Sequence, residues 1–424
     1  MIIYLDNAAS TQVGPEVAKA VYMAMTGTYA NPSALHTAGQ EAERLIKQAR
    51  QQLAFSLGTK AANIVFTSGG TESINLALFS AFFRQEHKRD GSFCVRDQTQ
   101  KEPSLLCSLL CSVVEHPAVL SAADALAARG VCVEKIPVHG ADTEWPGMVD
   151  TSALRAMLSK EVRLVSVMHV NNETGTINPI EEISRIIELF NTENDADVKL
   201  HVDAVQSYGK LAIDVDSGDF RRVDTLSMSA HKLHGPKGVG ALYAARPEKL
   251  HPMVFGGGQE GGARSGTENV PGIAGFGLAA RLAAKDIIGH AKEANTCRRR
   301  LLEGITAEIP DVRVNSPMDA TVTGKPGNSS PYILNVSFRG TRGEVLVHEL
   351  EKNGIFVSTG AACASIGKDG PKASDTLAAI GLSKEDAEGA IRFSFSWHNK
   401  PDETGFVVDR LKNAVANFRR VGTF

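Results

Sequence analysis

Four short segments carry the side chains that handle carbanions and sulfur. Ser229-Ala230-His231-Lys232 sets a lysine beside a hydroxyl and an imidazole, and Gly235-Pro236-Lys237-Gly238-Val239-Gly240 follows it. Val202-Asp203-Ala204 ends an apolar stretch on a carboxylate, with Gln206 three residues further on. Thr67-Ser68-Gly69-Gly70-Thr71-Glu72-Ser73 follows the apolar run Ile64-Val65-Phe66. Cys363 lies in Ser358-Thr359-Gly360-Ala361-Ala362-Cys363-Ala364-Ser365, a run of small residues. A lysine after a histidine means nothing alone; the four together do.

Each segment suits one part of a lysine-bound pyridoxal 5'-phosphate. A glycine turn opening a helix exposes backbone N–H groups where the helix dipole favours an anion, so the turn around Gly70 and Thr71 reads as a phosphate cup. It lacks the GxxxxGK[ST] spacing of a nucleotide P-loop. Asp203 can keep a ring nitrogen protonated so that the ring accepts electrons, although a helix cap reads the same way. Gln206 can reach the phenolic oxygen. Lys232 would form the Schiff base and carry the Cα proton, with Ser229 and His231 donating to the phosphate. His116, after Val113-Val114-Glu115, can stack on the ring and move protons, or simply cap a helix. Arg392, inside Ala390-Ile391-Arg392-Phe393-Ser394, suits a substrate carboxylate or a structural ion pair.

The bulk composition fits such an enzyme and excludes other classes. The chain has 424 residues, enough for two or three domains, with 43% hydrophobic and 22% charged side chains. With 45 basic and 48 acidic residues the net charge is -3, which gives no case for nucleic acid or an anionic membrane as partner. No apolar run approaches a membrane span. The opening Met1-Ile2-Ile3-Tyr4-Leu5-Asp6 carries no basic leader, so no signal or transit peptide is expected and a cytoplasmic location is. Six cysteines without a CxxC pair are the usage of a reduced compartment, and Cys107 and Cys111 read as buried small hydrophobes, not metal ligands. No metal is expected.

Alternating periodicities place these residues. Amphipathic spacing predicts a helix over Gln40 to Leu57, then a strand Ile64 to Thr67 and a helix Glu72 to Phe83. Further strands are expected at Leu164 to Met168, Lys199 to Val202, Thr225 to Met228 and Val239 to Tyr243, with a helix over Ile180 to Phe190. That alternation predicts an α/β large domain, residues 16–288, with a mostly parallel sheet between helices and active residues at the strands' C-terminal ends. Residues 1–15 and 289–424 are expected to form a smaller α+β domain carrying the Cys363 loop, with helices near Ala291 to Glu308 and Glu403 to Phe418. The polar stretch Arg84 to Ser104 reads as an exposed insertion loop.

With these residues in view, the chain resembles the cysteine desulfurases, class V members of the fold type I pyridoxal-phosphate enzymes. The matching runs include Tyr4-Leu5-Asp6-Asn7-Ala8-Ala9, Ala30-Asn31-Pro32-Ser33, the Val65 to Ser73 turn and Met168-His169-Val170-Asn171-Asn172-Glu173-Thr174-Gly175. They continue through His201 to Ser207, Ser229 to Lys232, Gly256-Gly257-Gly258 and Arg264-Ser265-Gly266-Thr267. The resemblance implies a seven-stranded-type sheet and a homodimer with its active site at the subunit interface. It further implies that Thr267 reaches the neighbouring subunit's cofactor phosphate, that Asn172 contacts the ring region, and that Asn31 and Arg392 hold the substrate carboxylate. Cys363 matches the nucleophile. The implied reaction takes L-cysteine onto the cofactor in place of Lys232; Cys363 attacks the substrate sulfur, alanine leaves, and the persulfide passes to an acceptor protein that the sequence does not name.

Two departures accompany the resemblance. Gly367-Lys368-Asp369-Gly370-Pro371-Lys372 lengthens the stretch after Cys363, and the chain stops at Phe424, so no scaffold-docking tail is expected. The alternatives are a selenocysteine lyase or another class V aminotransferase-like enzyme, and a non-catalytic pyridoxal-phosphate protein. Cys363 argues against a plain aminotransferase, and the intact set of chemical groups argues against the last.

Overall fold

In a computed structural model of the protein, residues 2–82, 107–320, 329–359 and 374–421 are described. The Arg84 to Ser104 insertion and Cys363 lie outside them. Among the described residues no helix is long and apolar enough to cross a membrane, and no group of three or more His, Cys, Asp or Glu could hold a metal ion.

The first strand, β1 (Ile3–Tyr4), belongs to the far half of the molecule. The central sheet contains β2 (Ile64–Thr67), β3 (Ser108–Ser112), β4 (Cys132–Ile136), β5 (Val162–Met168), β6 (Lys199–Asp203), β7 (Thr225–Ser229) and β8 (Gly240–Ala244), in the order β2-β8-β7-β6-β5-β3-β4. Only β8 runs antiparallel to its neighbours, so the expected mostly parallel seven-stranded sheet is what forms.

Alternate residues along each strand feed two cores, as a pleated strand requires. Ile64, Phe66, Leu110, Val165, Val167, Leu226 and Met228 pack with helices Thr37–Ser56, Ile180–Asn194 and Val270–Ala284. Val65, Leu109, Cys111, Leu164 and Leu242 pack on the other face with helices Gly70–Phe82 and Pro117–Ala127. Strands buried on both faces read as continuous apolar runs, which is why β5 to β8 were legible. Each fully buried Leu, Ile or Val contributes roughly 1.5–3 kcal/mol. Cys107 and Cys111 are buried in the second of these cores, as expected.

A second group of strands lies towards the C-terminus. β9 (Val312–Val314), β10 (Ile333–Phe338) and, later in the chain, β12 (Ala390–Ser394) form an antiparallel sheet ordered β12-β10-β9, while β11 (Ile355–Phe356) pairs in parallel with β1. Their core joins Ile3, Leu5 and Ala8 to residues from Ala291 to Val415, and takes in Val170, Ile177 and Leu211.

Capping explains where helix ends differ from the periodicity. Thr37–Ser56 starts early because His36 caps it, its Nδ1 accepting from Gly39 N at 3.3 Å. Ile180–Asn194 continues a turn past Phe190 and stops where Asp195 takes a left-handed φ of 49°. The helix expected from Ala291 begins at Ile287, behind Asp286, whose carboxylate accepts from Gly289 N at 2.9 Å. The final helix runs Glu403–Val421.

Candidate active site

The C-terminal ends of β6 and β7 and the start of helix Gly70–Phe82 meet at one place. A Cβ built on Gly70 would stand 2.7 Å from Val205 Cγ2 and 3.6 Å from Ser229 Cβ, so only a residue without one lets the three segments close up. The helix N-terminus, Asp203 and the Ser229–Lys232 turn therefore share a wall. Helix formation begins at Gly70 itself, two residues before the sequence pattern places it. Thr71, exposed beside it, gives its carbonyl to Asn75 Nδ2 at 2.8 Å.

Lys232 ends the short 3-10 turn Ala230–Lys232 that follows β7. Its Nζ donates to the carbonyls of Ala8 and Ala9 at 2.6 and 2.8 Å. The same N-terminal segment holds the turn itself: Thr11 N donates to His231 O at 2.9 Å, and Thr11 Oγ1 accepts from His234 N at 2.7 Å. His231 Nδ1 and Ser10 Oγ are hydrogen-bonded at 3.2 Å.

The Lys232 charge is felt by the groups around it. Burial, then the positive charge of Lys232, lowers His116 to about 4, so its imidazole is neutral near pH 7. His116 Nδ1 accepts from Ala118 N at 3.1 Å, which makes it the cap of helix Pro117–Ala127 and leaves the ring proton on Nε2. The capping reading and the ring-facing reading of His116 are compatible. Burial, then Lys232, Lys237 and Lys210, also takes His231 down to about 4.

Asp203, 5% exposed, is the last residue of β6, and its Oδ1 accepts from Val205 N at 2.9 Å. Burial pushes its carboxyl up to about 6, against the opposing pull of that N–H and of Lys232. A carboxyl raised this way is short of a cation, and pairing with one would restore its charge. Gln206 Nε2 donates to Ala8 O at 2.8 Å, the carbonyl that Lys232 also uses.

Arg392 sits in β12 at 3% exposure. Its guanidinium donates to Asp6 Oδ1 at 2.8 Å and to Asn172 O at 2.9 Å, while Nε has no acceptor among the described residues. Arg392 and Asn172 are thus in contact, through Asn172's backbone. Arg392 also exchanges both backbone hydrogen bonds with Ser358, at 2.7 and 3.2 Å, just before the Cys363 segment in sequence. Asn31 and Thr267 are not brought to this group: both are exposed, Asn31 Oδ1 takes the N–H of Ser33 at 2.9 Å, and Thr267 lines a surface cleft with Thr67, Ser68 and Arg264.

Glu115, Glu173 and Lys210 are among the buried ionisable residues that escaped the sequence reading. Glu115 Oε1 accepts from Met168 N at 2.8 Å, and burial raises its carboxyl well above the usual range. Glu173 accepts from Ser374 Oγ at 2.5 Å and is likewise raised by burial. Lys210, 3% exposed, donates to Gln206 Oε1 at 3.3 Å. Glu115 and Glu173 adjoin residues already singled out, and adjacency was the one available signal; Lys210 had none.

Known proteins show the same organisation. The aminotransferase class-V family model matches residues 3–405. The cysteine desulfurase NifS of Azotobacter vinelandii is 37% identical over 423 residues, covering 100% of this chain and 94% of that protein. Two solved structures, a NifS-like protein and SspA in complex with cysteine, superpose with TM-scores of 0.83 and 0.73 at 32% and 31% identity; they match 98% and 94% of this chain and 100% of each neighbour. The chain belongs to the aminotransferase class-V family, among its cysteine desulfurases.

Proposed function

We propose that this enzyme binds pyridoxal 5'-phosphate on Lys232, converts L-cysteine to L-alanine, and passes the sulfur through a persulfide on Cys363 to an acceptor protein. The observation that carries the reading is the convergence of the buried Asp203 at the end of β6, the Lys232 turn after β7 and the glycine-opened helix at Gly70. The residues fit the cofactor: Asp203 offers the anion a protonated ring nitrogen needs, and the close approach at Gly70 makes a cradle that a side chain would fill.

Bound there, pyridoxal phosphate supplies an electron sink for the substrate's α-carbon. Gly70, Thr71, Ser229 and His231 would hold the phosphate, Gln206 and Asn172 the ring's oxygen side, and neutral His116 one ring face. Lys232 Nζ takes and returns the α-proton. Arg392 fixes the substrate carboxylate by giving it the bidentate face it now shares between Asp6 and Asn172, its unused Nε–H adding a donor. Cys363 attacks the substrate sulfur as a thiolate; the C–S bond breaks, the electron pair stays with the carbon framework, and a proton at carbon completes alanine. One of the structural relatives is described as SspA in complex with cysteine, which supports cysteine as the substrate.

A second copy of the chain would bring Thr267 to its neighbour's phosphate. Tyr29, Leu35 and Phe255 are exposed at 82%, 93% and 75%, close in sequence to Asn31 and Thr267, which supports a homodimer covering this surface.

The test is uptake of pyridoxal phosphate by the purified protein. A visible absorption band that borohydride bleaches, and that Lys232→Ala lacks, is the expected result. A protein that gains no band after soaking removes the proposal.

A further inference from the structure

Lys210 has no part in the chemistry above, yet it is 3% exposed beside the residues that do. The turn after β6 carries it inward. Gly209 adopts a φ of +72°, and a Cβ there would stand 3.1 Å from Leu233 Cδ1 and 3.2 Å from Ala283 Cβ, so glycine alone makes this turn without strain. Lys210 Nζ then donates to Gln206 Oε1 at 3.3 Å and lies 5.8 Å from the centre of the Tyr332 ring. Neither partner is an anion. Burying an ammonium on such partners costs stability that a methionine of similar length would not.

The hydrogen bonds continue past Gln206. Its Nε2 donates to Ala8 O at 2.8 Å, and that carbonyl accepts from Lys232 Nζ at 2.6 Å. Lys210 and Lys232 are therefore the two ends of one chain. An ammonium has donors and no acceptor, so the Gln206 oxygen must face Lys210 and its NH₂ must face Ala8. The Ala8 carbonyl, which only accepts, requires the same orientation, so the amide is held from both ends; without Lys210 its buried oxygen loses its donor and Ala8 alone holds it. Burial, with the charges of Lys232 and Arg392, brings Lys210 down to about 7, and its own charge helps lower His231 and His234.

We propose that Lys210 is a positioning residue of the active site, which holds the Gln206 amide with its donor on the Ala8 carbonyl that Lys232 also uses, and sets a cation behind the cofactor-bearing lysine. The proposal rests on the assignment of Lys232 to the cofactor.

The test compares wild type, Lys210→Met, Lys210→Arg, Gln206→Leu and the Lys210→Met/Gln206→Leu double variant, each loaded with pyridoxal phosphate. The readouts are the dissociation constant for the cofactor and the pH midpoint of its visible band. Wild type that takes up no cofactor overturns the Lys232 assignment and this proposal with it. With wild type binding, Lys210→Met is expected to raise the midpoint by about half a pH unit or more, since one cation fewer opposes protonation beside Lys232. It should also weaken cofactor binding about tenfold, and Lys210→Arg should recover much of both losses. In cofactor affinity the double variant should match Gln206→Leu alone, because residues acting through one chain are not additive, while the midpoint shift, which acts through space, persists in it. A folded Lys210→Met with the wild-type midpoint and affinity would overturn the role, and additive losses of affinity in the double variant would overturn the route through Gln206. If Lys210→Met does not fold, Lys210→Gln, which keeps a donor and drops the charge, is read the same way: an unshifted midpoint overturns the electrostatic part.

Discussion

Under the proposed function, the substrate and the cofactor must displace the partners that hold Arg392 and Lys232. Arg392 gives its donors to Asp6 and Asn172, and Lys232 gives its own to Ala8 and Ala9. Arg392→Ala is expected to raise KM for L-cysteine by about tenfold to a hundredfold, with a smaller effect on kcat, since a charge-assisted pair is worth about 1.5–3 kcal/mol. Steady-state kinetics would show it, and an unaltered KM would move the carboxylate contact elsewhere. At this scale the sequence was informative where a reactive residue ends an apolar run, as Asp203 does, or opens a glycine turn, as Gly70 does. It was silent on Lys210, because a lysine four residues after a glutamine looks the same buried or solvated. Cys363 lies outside the described residues, and its role rests on the resemblance.

Among the elements, the glycine turn into helix Gly70–Phe82 is the most exacting. Gly70→Ala puts a methyl 2.7 Å from Val205 Cγ2 and pushes apart the segments that carry Asp203 and Ser229. Such overpacking costs about 1–3 kcal/mol, and cofactor affinity should fall about tenfold while the secondary structure persists. Titration of the visible band beside a far-UV spectrum separates the two effects; wild-type affinity would contradict the cradle. The buried strands β2 and β5 to β8 were readable as apolar runs, whereas β3, buried but flanked by serines, and β4, Cys132-Val133-Glu134-Lys135-Ile136, were not. β4 is an edge strand, mostly exposed, and its polar residues carry no period-two signal. Helix ends were missed by up to a turn because caps such as His36 and Asp286 act through geometry that periodicity does not record.

For the whole molecule, buried neutral histidines tie stability to pH. His169 is packed edge-on against Phe220 at 4.9 Å, and burial lowers it to about 3 from an ordinary 6.5. The unfolded chain then binds the extra proton between pH 6.5 and 3, so this residue's contribution is lost as the pH falls through that window and is constant above it. His169→Phe should therefore gain about 2 kcal/mol relative to wild type on going from pH 7 to pH 5. Denaturant unfolding of both proteins at the two pH values measures it, and a difference independent of pH would show that His169 titrates normally.

The layered α/β architecture and the grouping of Lys232, Asp203, Gly70 and Ser229 were legible because strands and glycine turns write themselves into local pattern. The resemblance put Arg392 and Asn172 together at the active site, but their direct contact was not legible, since it runs from the guanidinium to Asn172's backbone carbonyl and leaves no mark in local pattern. The central claim is a Lys232- and Cys363-dependent removal of sulfur from L-cysteine. Alanine and sulfide released from L-cysteine, with pyridoxal phosphate and a reductant present, test it most directly when wild type is run beside Cys363→Ser. Equal amounts of both products from wild type, and neither from a variant that still binds cofactor and substrate, is the predicted result. Undiminished sulfide release by Cys363→Ser, or a wild-type enzyme that binds the cofactor and releases none, would contradict it.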